Sequence, residues 1–475
     1  MKNQVQLICY IDRFSGGNIK SLQQLLTGPL KDVFGGVHLL PFFFPIDGAD
    51  AGFDPIDHTQ VDPQLGNWSD IRELSEHIDV MGDVIVNHMS AQSPQFIDFL
   101  KHGDDSDFAD LFLTFDKVFK NGATEKELLH IYRPRPGFPF TTKSLGNGSK
   151  KMLWTTFTTN QIDIDVNGAK GKEYLLSILK QFHDAGIKMI RLDAAGYAIK
   201  KPGTSCFMIP ETFDFIQWFR DKAADFGMEV LVEIHSYFKQ QVEIAKKVDR
   251  VYDFALPPLV LHAIYTGNAT HLKHWLEISP RNAITVLDTH DGIGVIDVGS
   301  SNGEPGLLPD SEIEAIVEMI HKNSQGQSKQ ATGEAASNLD LYQVNCTYYD
   351  ALGGDDDRYL LARAIQFFAP GVPQVYYTGL LAEPNDMDLL AKTLVGRDIN
   401  RHYFTEEELP QALERTVVKQ LIDLIRFRNT HPAFNGDFHI DESTDQMLNL
   451  RWQNGASKAV LKANLELSSY EIEVN

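Results

Sequence analysis

Eight short apolar runs, with helical patterns falling between them, constrain this chain more than any other feature. The runs are QLICYI (6–11), VHLLPFF (37–43), DVIVNH (83–88), KMIRLDA (188–194), EVLVEIH (229–235), RVYDFALP (250–257), AITVLDTH (283–290) and VPQVYYTG (372–379). Several are hydrophobic without interruption up to a terminal polar residue, as a strand buried on both faces must be. Between them, KEYLLSILKQFHDAG (172–186) has apolar residues at helical spacing and closes on Gly186 at a C-cap position. TFDFIQWFRDKAADFG (212–227) opens on Thr212, a residue suited to an N-cap, and closes on Gly227. Strand and helix alternating eight times predict an α/β chain folded as a (β/α)8 TIM barrel.

The spacing of the runs is uneven. About 100 residues lie between the third and fourth and about 80 between the seventh and eighth, more than ordinary connections need. The first gap predicts an inserted domain over 89–166 and the second another insertion over 292–355. Both follow a strand, so both belong on the catalytic side of the barrel. The barrel is then assembled from 1–88, 167–291 and 356–433. From 434 the texture changes to MLNLRW, KAVLKANL and YEIEV, short alternating runs that predict a small C-terminal β module over 434–475. The acidic run Asp355–Asp357 precedes a helical pattern and reads as charge complementing a helix N-terminus.

Composition narrows the partners. The 43 Lys and Arg face 65 Asp and Glu, for a net charge of −22. Such a surface repels nucleic acid and anionic membranes. An anionic substrate would need local arginines. Three widely spaced cysteines, Cys9, Cys206 and Cys346, form no CxxC pair, which fits free thiols in a reducing compartment. The start, MKNQVQLICYIDRF, has no basic and then apolar leader. No uncharged apolar stretch of about 18 residues is present for a membrane span. The expectation is a cytoplasmic protein without nucleic-acid or membrane partners.

Four strand-like runs end in residues suited to opening a glycosidic bond. IRLDAAGY carries Arg191 and Asp193, VLVEIHSY carries Glu233 and His235, VLDTHDGIG carries His290 and Asp291, and DVIVNHMS carries Asp83, Asn87 and His88. Glycosidic cleavage needs two carboxyl groups in different protonation states. Arg191 lies two residues before Asp193, on the same side of a strand, so its guanidinium is expected to keep Asp193 ionised as a nucleophile. Glu233 follows VLV with no cation beside it in sequence, and a less polar setting would suit a general acid. Alone, Asp193 with Arg191 reads better as a structural ion pair. Four such segments in this order favour catalysis.

These segments resemble the four signature regions of glycoside hydrolase family 13, the α-amylase clan. DGADAGFDPIDHTQVD (48–62), IYRPRPGFPFT (131–141), WTTFTTNQIDID (154–165), LDLYQVNCTYYDALG (339–353) and GRDINRHYF (396–404) are similar to its sucrose phosphorylase branch. The resemblance implies a catalytic set of Asp193, Glu233 and Asp291, with Asp291 stabilising an oxocarbenium-like transition state. It implies that His88 and His290 bond the glucosyl ring, that Asp50 and Arg397 grip its far edge, and that Phe53 forms an apolar wall or packs in the core. Tyr132, Arg135 and Phe157 from the first insertion, Asp340, Tyr342 and Gln343 from the second, and Tyr197 and His235 from the barrel rim would form the acceptor side. Arg135 is the candidate phosphate ligand, because guanidinium matches phosphate geometry. Asp340 would suit neutral fructose and repel phosphate, so these loops are expected to move between half-reactions.

One departure stands out. Calcium-binding α-amylases carry Lys-His after RLDAA, and this chain has Gly196-Tyr197. No metal and no cofactor are expected, and Asn87 is then structural. The implied activity is retaining phosphorolysis, sucrose and phosphate giving α-D-glucose 1-phosphate and fructose, and the resemblance suggests a homodimer. A sister phosphorylase acting on sucrose 6′-phosphate or glucosylglycerate is the nearest alternative. It is disfavoured by Pro134 and Gln343, where basic residues would be expected. A retaining α-glucosidase or transglucosidase, and a non-catalytic amylase-like scaffold, are further alternatives.

Overall fold

The structure, a computed structural model, describes residues 1–46, 49–133, 137–301, 303–332 and 343–475, with residues 49 and 50 as backbone alone. Its eight parallel strands close into a barrel: β1 (Gln6–Cys9), β2 (Gly36–Leu39), β3 (Asp79–Ile85), β4 (Met189–Asp193), β5 (Glu229–Val232), β6 (Arg250–Asp253), β7 (Ala283–Thr285) and β8 (Val372–Tyr376). The ring order is β1-β8-β7-β6-β5-β4-β3-β2, so each strand lies beside its neighbours in sequence. Every predicted run overlaps one strand, but most strands stop earlier than the runs do. Val286 and Leu287 are buried beyond the end of β7. Apolar character records burial, whereas strand length records ladder hydrogen bonds, and the two part company where the chain turns to deliver its polar residue.

The chain divides into two compact units, Leu39–Ile234, and Met1–His38 with His235–Asn475. In the first unit, β4 pairs with β3 through Arg191 opposite Asp83 and with β5 through Leu192 opposite Val232. Val84, Leu192 and Leu231 are fully buried there. The helix Ala169–Asp184 buries Leu175, Ile178, Leu179 and Phe182 along one stripe. Phe182 packs so close to β3 that a Cβ on Gly82 would sit 3.1 Å from its ring. The helix Pro210–Asp225 corrects one expectation. Thr212 is not its N-cap but a buried residue of its first turn, and the cap is Ile209 without a side-chain bond. Pro210 at the first position has φ already set and no N–H to satisfy, so the helix starts earlier.

Between β3 and β4, His88–Ser90 pairs antiparallel with Gln161–Asp163, and Phe140–Ser144 forms a hairpin with Lys150–Trp154. A small core of Leu113, Phe119, Trp154 and Cys206 holds these pieces. In the second unit, Ile293–Gly294 pairs with Gln343–Val344. The helix Asp356–Phe368 is capped by the Asp355 carboxylate, which accepts from the Arg358 amide at 3.0 Å. The chain ends in a four-stranded antiparallel sheet, Asp437–Asp441, Met447–Asn454, Ser457–Asn464 and Ser469–Val474. Trp452 pins this sheet, its indole N–H donating to the Phe368 carbonyl at 2.8 Å. Among the described residues, no helix is long and apolar enough to cross a membrane.

Candidate active site

Within the first unit one buried guanidinium organises three carboxyl groups. Arg191, in the middle of β4, is 1% exposed. Its Nη1 lies 2.5 Å from Asp83 Oδ1 and 3.4 Å from Asp193 Oδ1, and its Nη2 lies 2.5 Å from Glu233 Oε1. Asp193 is the last residue of β4, and Glu233 directly follows β5. The setting expected for Glu233 is therefore corrected. It has no cation beside it in sequence, but strand pairing brings Arg191 to it from the next strand. Asp83 is fully buried under the same guanidinium. The sequence reading assigned it no role, since it opens the run DVIVNH rather than ending it.

Around this cluster, Phe53 is buried with the Arg191 guanidinium 5.5 Å above its ring. His88 Nε2 donates to the Phe53 carbonyl at 3.3 Å, since a carbonyl can only accept. Aromatic rings continue from His88 to Phe157 at 5.4 Å, and from Phe157 to Tyr197 at 5.1 Å. Phe207, absent from the sequence reading, lies 4.7 Å from both Tyr132 and Tyr197 and joins them. It sits in SCFMIP, a segment with no motif to point to it. Gly196 is what lets this ring approach, since a Cβ there would fall 2.8 Å from Phe207. Tyr132 is half-exposed at the end of the row. Arg133 donates to the carbonyls of Phe138, Thr155, Thr156 and Phe157, so this arginine ties its loop together.

Asn87 accepts from the Lys200 ammonium at 2.9 Å. The same ammonium pairs with buried Asp163 at 2.9 Å and bonds the Tyr197 carbonyl. These three oxygens already share a cation that belongs to the chain, so they do not fit a calcium ion as well.

In the second unit, Asp291 lies 2.8 Å from Arg397 Nη1 and 3.7 Å from His290 Nε2. Arg401, buried and not singled out from sequence, donates through Nε to the His290 carbonyl at 2.9 Å. Tyr10 meets the His290 ring edge-on at 6.3 Å. His235 stacks on Phe254 at 3.8 Å, and both line a small cavity with Thr289, Asp291 and Asn400. Gln343 pairs in register with Gly294 beside that cavity. Arg135, Asp340, Tyr342 and the Asp50 side chain lie outside the described residues.

A family model described as Alpha amylase, catalytic domain, matches residues 30–256. The chain is 65% identical over 453 residues to a sucrose phosphorylase of Agrobacterium vitis, covering 95% of this chain and 93% of that one. It is 54% identical over 464 residues to a sucrose phosphorylase of Bifidobacterium adolescentis, covering 97% and 92%. The crystal structure of sucrose 6F-phosphate phosphorylase from Thermoanaerobacter thermosaccharolyticum matches with a TM-score of 0.93 at 40% identity, covering 100% of this chain and 96% of that one.

Proposed function

Because the chain belongs to the alpha-amylase family, in its sucrose phosphorylase branch, we propose that it converts sucrose and phosphate to α-D-glucose 1-phosphate and D-fructose with retention. The observation that carries this reading is the Arg191 guanidinium shared by Asp193 and Glu233. Asp193 attacks the anomeric carbon of the glucosyl unit. The bond from that carbon to the fructosyl oxygen breaks, and Glu233 gives its proton to that oxygen. Glucose remains on Asp193 as a β-linked ester. A phosphate oxygen then attacks from the vacated face, Glu233 takes its proton, and the ester bond breaks. Two inversions restore the α configuration. Asp291, held by Arg397 and backed by His290, supplies negative charge to the oxocarbenium-like transition state. Phe157, Tyr197 and Tyr132 offer an aromatic platform for the acceptor.

Phosphate dependence is the direct test. With sucrose in phosphate buffer the protein releases glucose 1-phosphate and little free glucose. Equal sucrose loss without phosphate, yielding only glucose and fructose, assigns a hydrolase instead. Sucrose 6′-phosphate and glucosylglycerate in parallel arms decide between sister activities.

Arg135 remains the proposed phosphate ligand. A charge-assisted contact contributes about 1.5–3 kcal/mol, so Arg135→Ala weakens phosphate use roughly 10- to 100-fold. Transfer to glycerol suffers less. An unchanged ratio of glucose 1-phosphate to glucosylglycerol, in mixed phosphate and glycerol, makes Arg135 a loop residue.

Metal independence rests on Lys200. A chelator changes neither activity nor melting temperature in the parent protein. In Lys200→Ala, the oxygens of Asn87, Asp163 and Tyr197 lose their shared cation, and the melting temperature falls. A drop in the parent that calcium restores overturns this reading. We extend the proposal to a cytoplasmic homodimer. Support comes from the three free cysteines and from family membership, and light scattering at working concentration tests the dimer.

A further inference from the structure

His235 is held from behind by a carboxylate that no motif marks. Asp297 lies in the short 3-10 turn Ile296–Val298 and is fully buried. Its Oδ2 is 3.1 Å from His235 Nδ1. Its Oδ1 accepts from the Ser236 amide at 3.1 Å and from the Gln241 side-chain amide at 2.5 Å. Gln241 is itself buried and also donates to the Ser236 carbonyl at 3.0 Å. The carboxylate is thus fixed by two donors on one oxygen and offers the other to the imidazole. Phe254 stacks flat on the ring, 13° from parallel. Gly294 approaches the same pair closely, since a Cβ there would sit 3.2 Å from Asp297 Oδ2 and 3.5 Å from His235 Nδ1. Asp297 and Phe254 therefore touch the ring directly, and Ser236 and Gln241 hold Asp297 in place.

We propose that Asp297 is a positioning residue that fixes the orientation and tautomer of His235 for phosphate use, a role that rests on the phosphorylase reading above. Asp297 already accepts from two amide donors, and a carboxylate oxygen accepts from an imidazole N–H, so Nδ1 carries the proton. His235 is part of the wall of the small cavity that Asp291 also lines. With Nδ1–H given to Asp297, Nε2 carries the lone pair and is suited to accept from an O–H of hydrogen phosphate. In a chain of net charge −22, this gives the acceptor side a neutral partner for phosphate in addition to Arg135.

The test compares Asp297→Asn with His235→Asn and the double variant in the full-length protein. Spectra of protein carrying 15N-labelled histidine read the tautomer, and the signal lost in His235→Asn identifies His235. The parent shows the proton on Nδ1, and Asp297→Asn moves it to Nε2. With α-glucosyl fluoride as donor, Asp297→Asn raises KM for phosphate about 10- to 100-fold, the scale on which residues that orient a functional histidine act. Fluoride release without phosphate falls by a smaller factor than KM rises. The double variant loses no more than His235→Asn alone. An unchanged tautomer in Asp297→Asn, or additive losses in the double variant, overturns the proposal. If the parent shows no phosphate dependence, the phosphorylase reading fails, while the tautomer still decides whether Asp297 holds His235. Should Asp297→Asn not fold, Gln241→Met removes the support of Oδ1 and is judged by the same two readouts.

Discussion

Asp193→Ala lowers sucrose turnover by about 10⁴-fold or more, the scale on which loss of a covalent nucleophile acts. The residue ends β4 with its side chain 17% exposed, whereas the Arg191 side chain beneath it is 2% exposed. Removing it leaves Arg191 still paired with Asp83 and Glu233. The variant therefore folds, and its melting temperature stays near that of the parent. Steady-state turnover and a thermal melt on the same preparation separate the two effects. A variant that keeps a tenth of parental activity removes Asp193 from the nucleophile role. A variant that is inactive only because it is unfolded shows that β4 depends on this carboxylate.

Arg191→Met has the largest expected effect on stability. Taking away one partner of a buried ion pair costs about 3–5 kcal/mol, because the remaining charge has no water to return to. Here the charge left behind is Asp83, which is fully buried and 2.5 Å from the lost guanidinium. Activity falls as well, since Asp193 and Glu233 lose the group that joins them. The Asp83→Asn change in the Arg191→Met background recovers part of the stability by removing the stranded charge. Denaturant unfolding of the parent, the single and the double variant measures both steps. A single variant as stable as the parent shows that Arg191 does not hold the strand ends together.

The alternation of apolar runs and helical stripes was enough to specify the barrel and to order its strands. Both signals are local: a strand buried on two faces has to be apolar along its length, and a helix on a barrel has to be apolar along one stripe. The segments of the candidate site stood out for a similar reason, because Asp193 ends β4 and Glu233 directly follows β5. Where a helix begins was less legible, since Thr212 and Pro210 are both good starts and the proline acts two residues earlier. Contacts between distant residues were not legible at all. Arg191 and Asp83 are 108 positions apart, Lys200 and Asn87 113, and His235 and Asp297 62. Glu233 looked free of cations because a linear chain shows only its neighbours along the strand, whereas pairing in the sheet adds those across it. Residue types and their periodicity thus settle what must be buried and where reactive groups emerge. Which charge meets which depends on strand register and loop return, and no short stretch of sequence contains either.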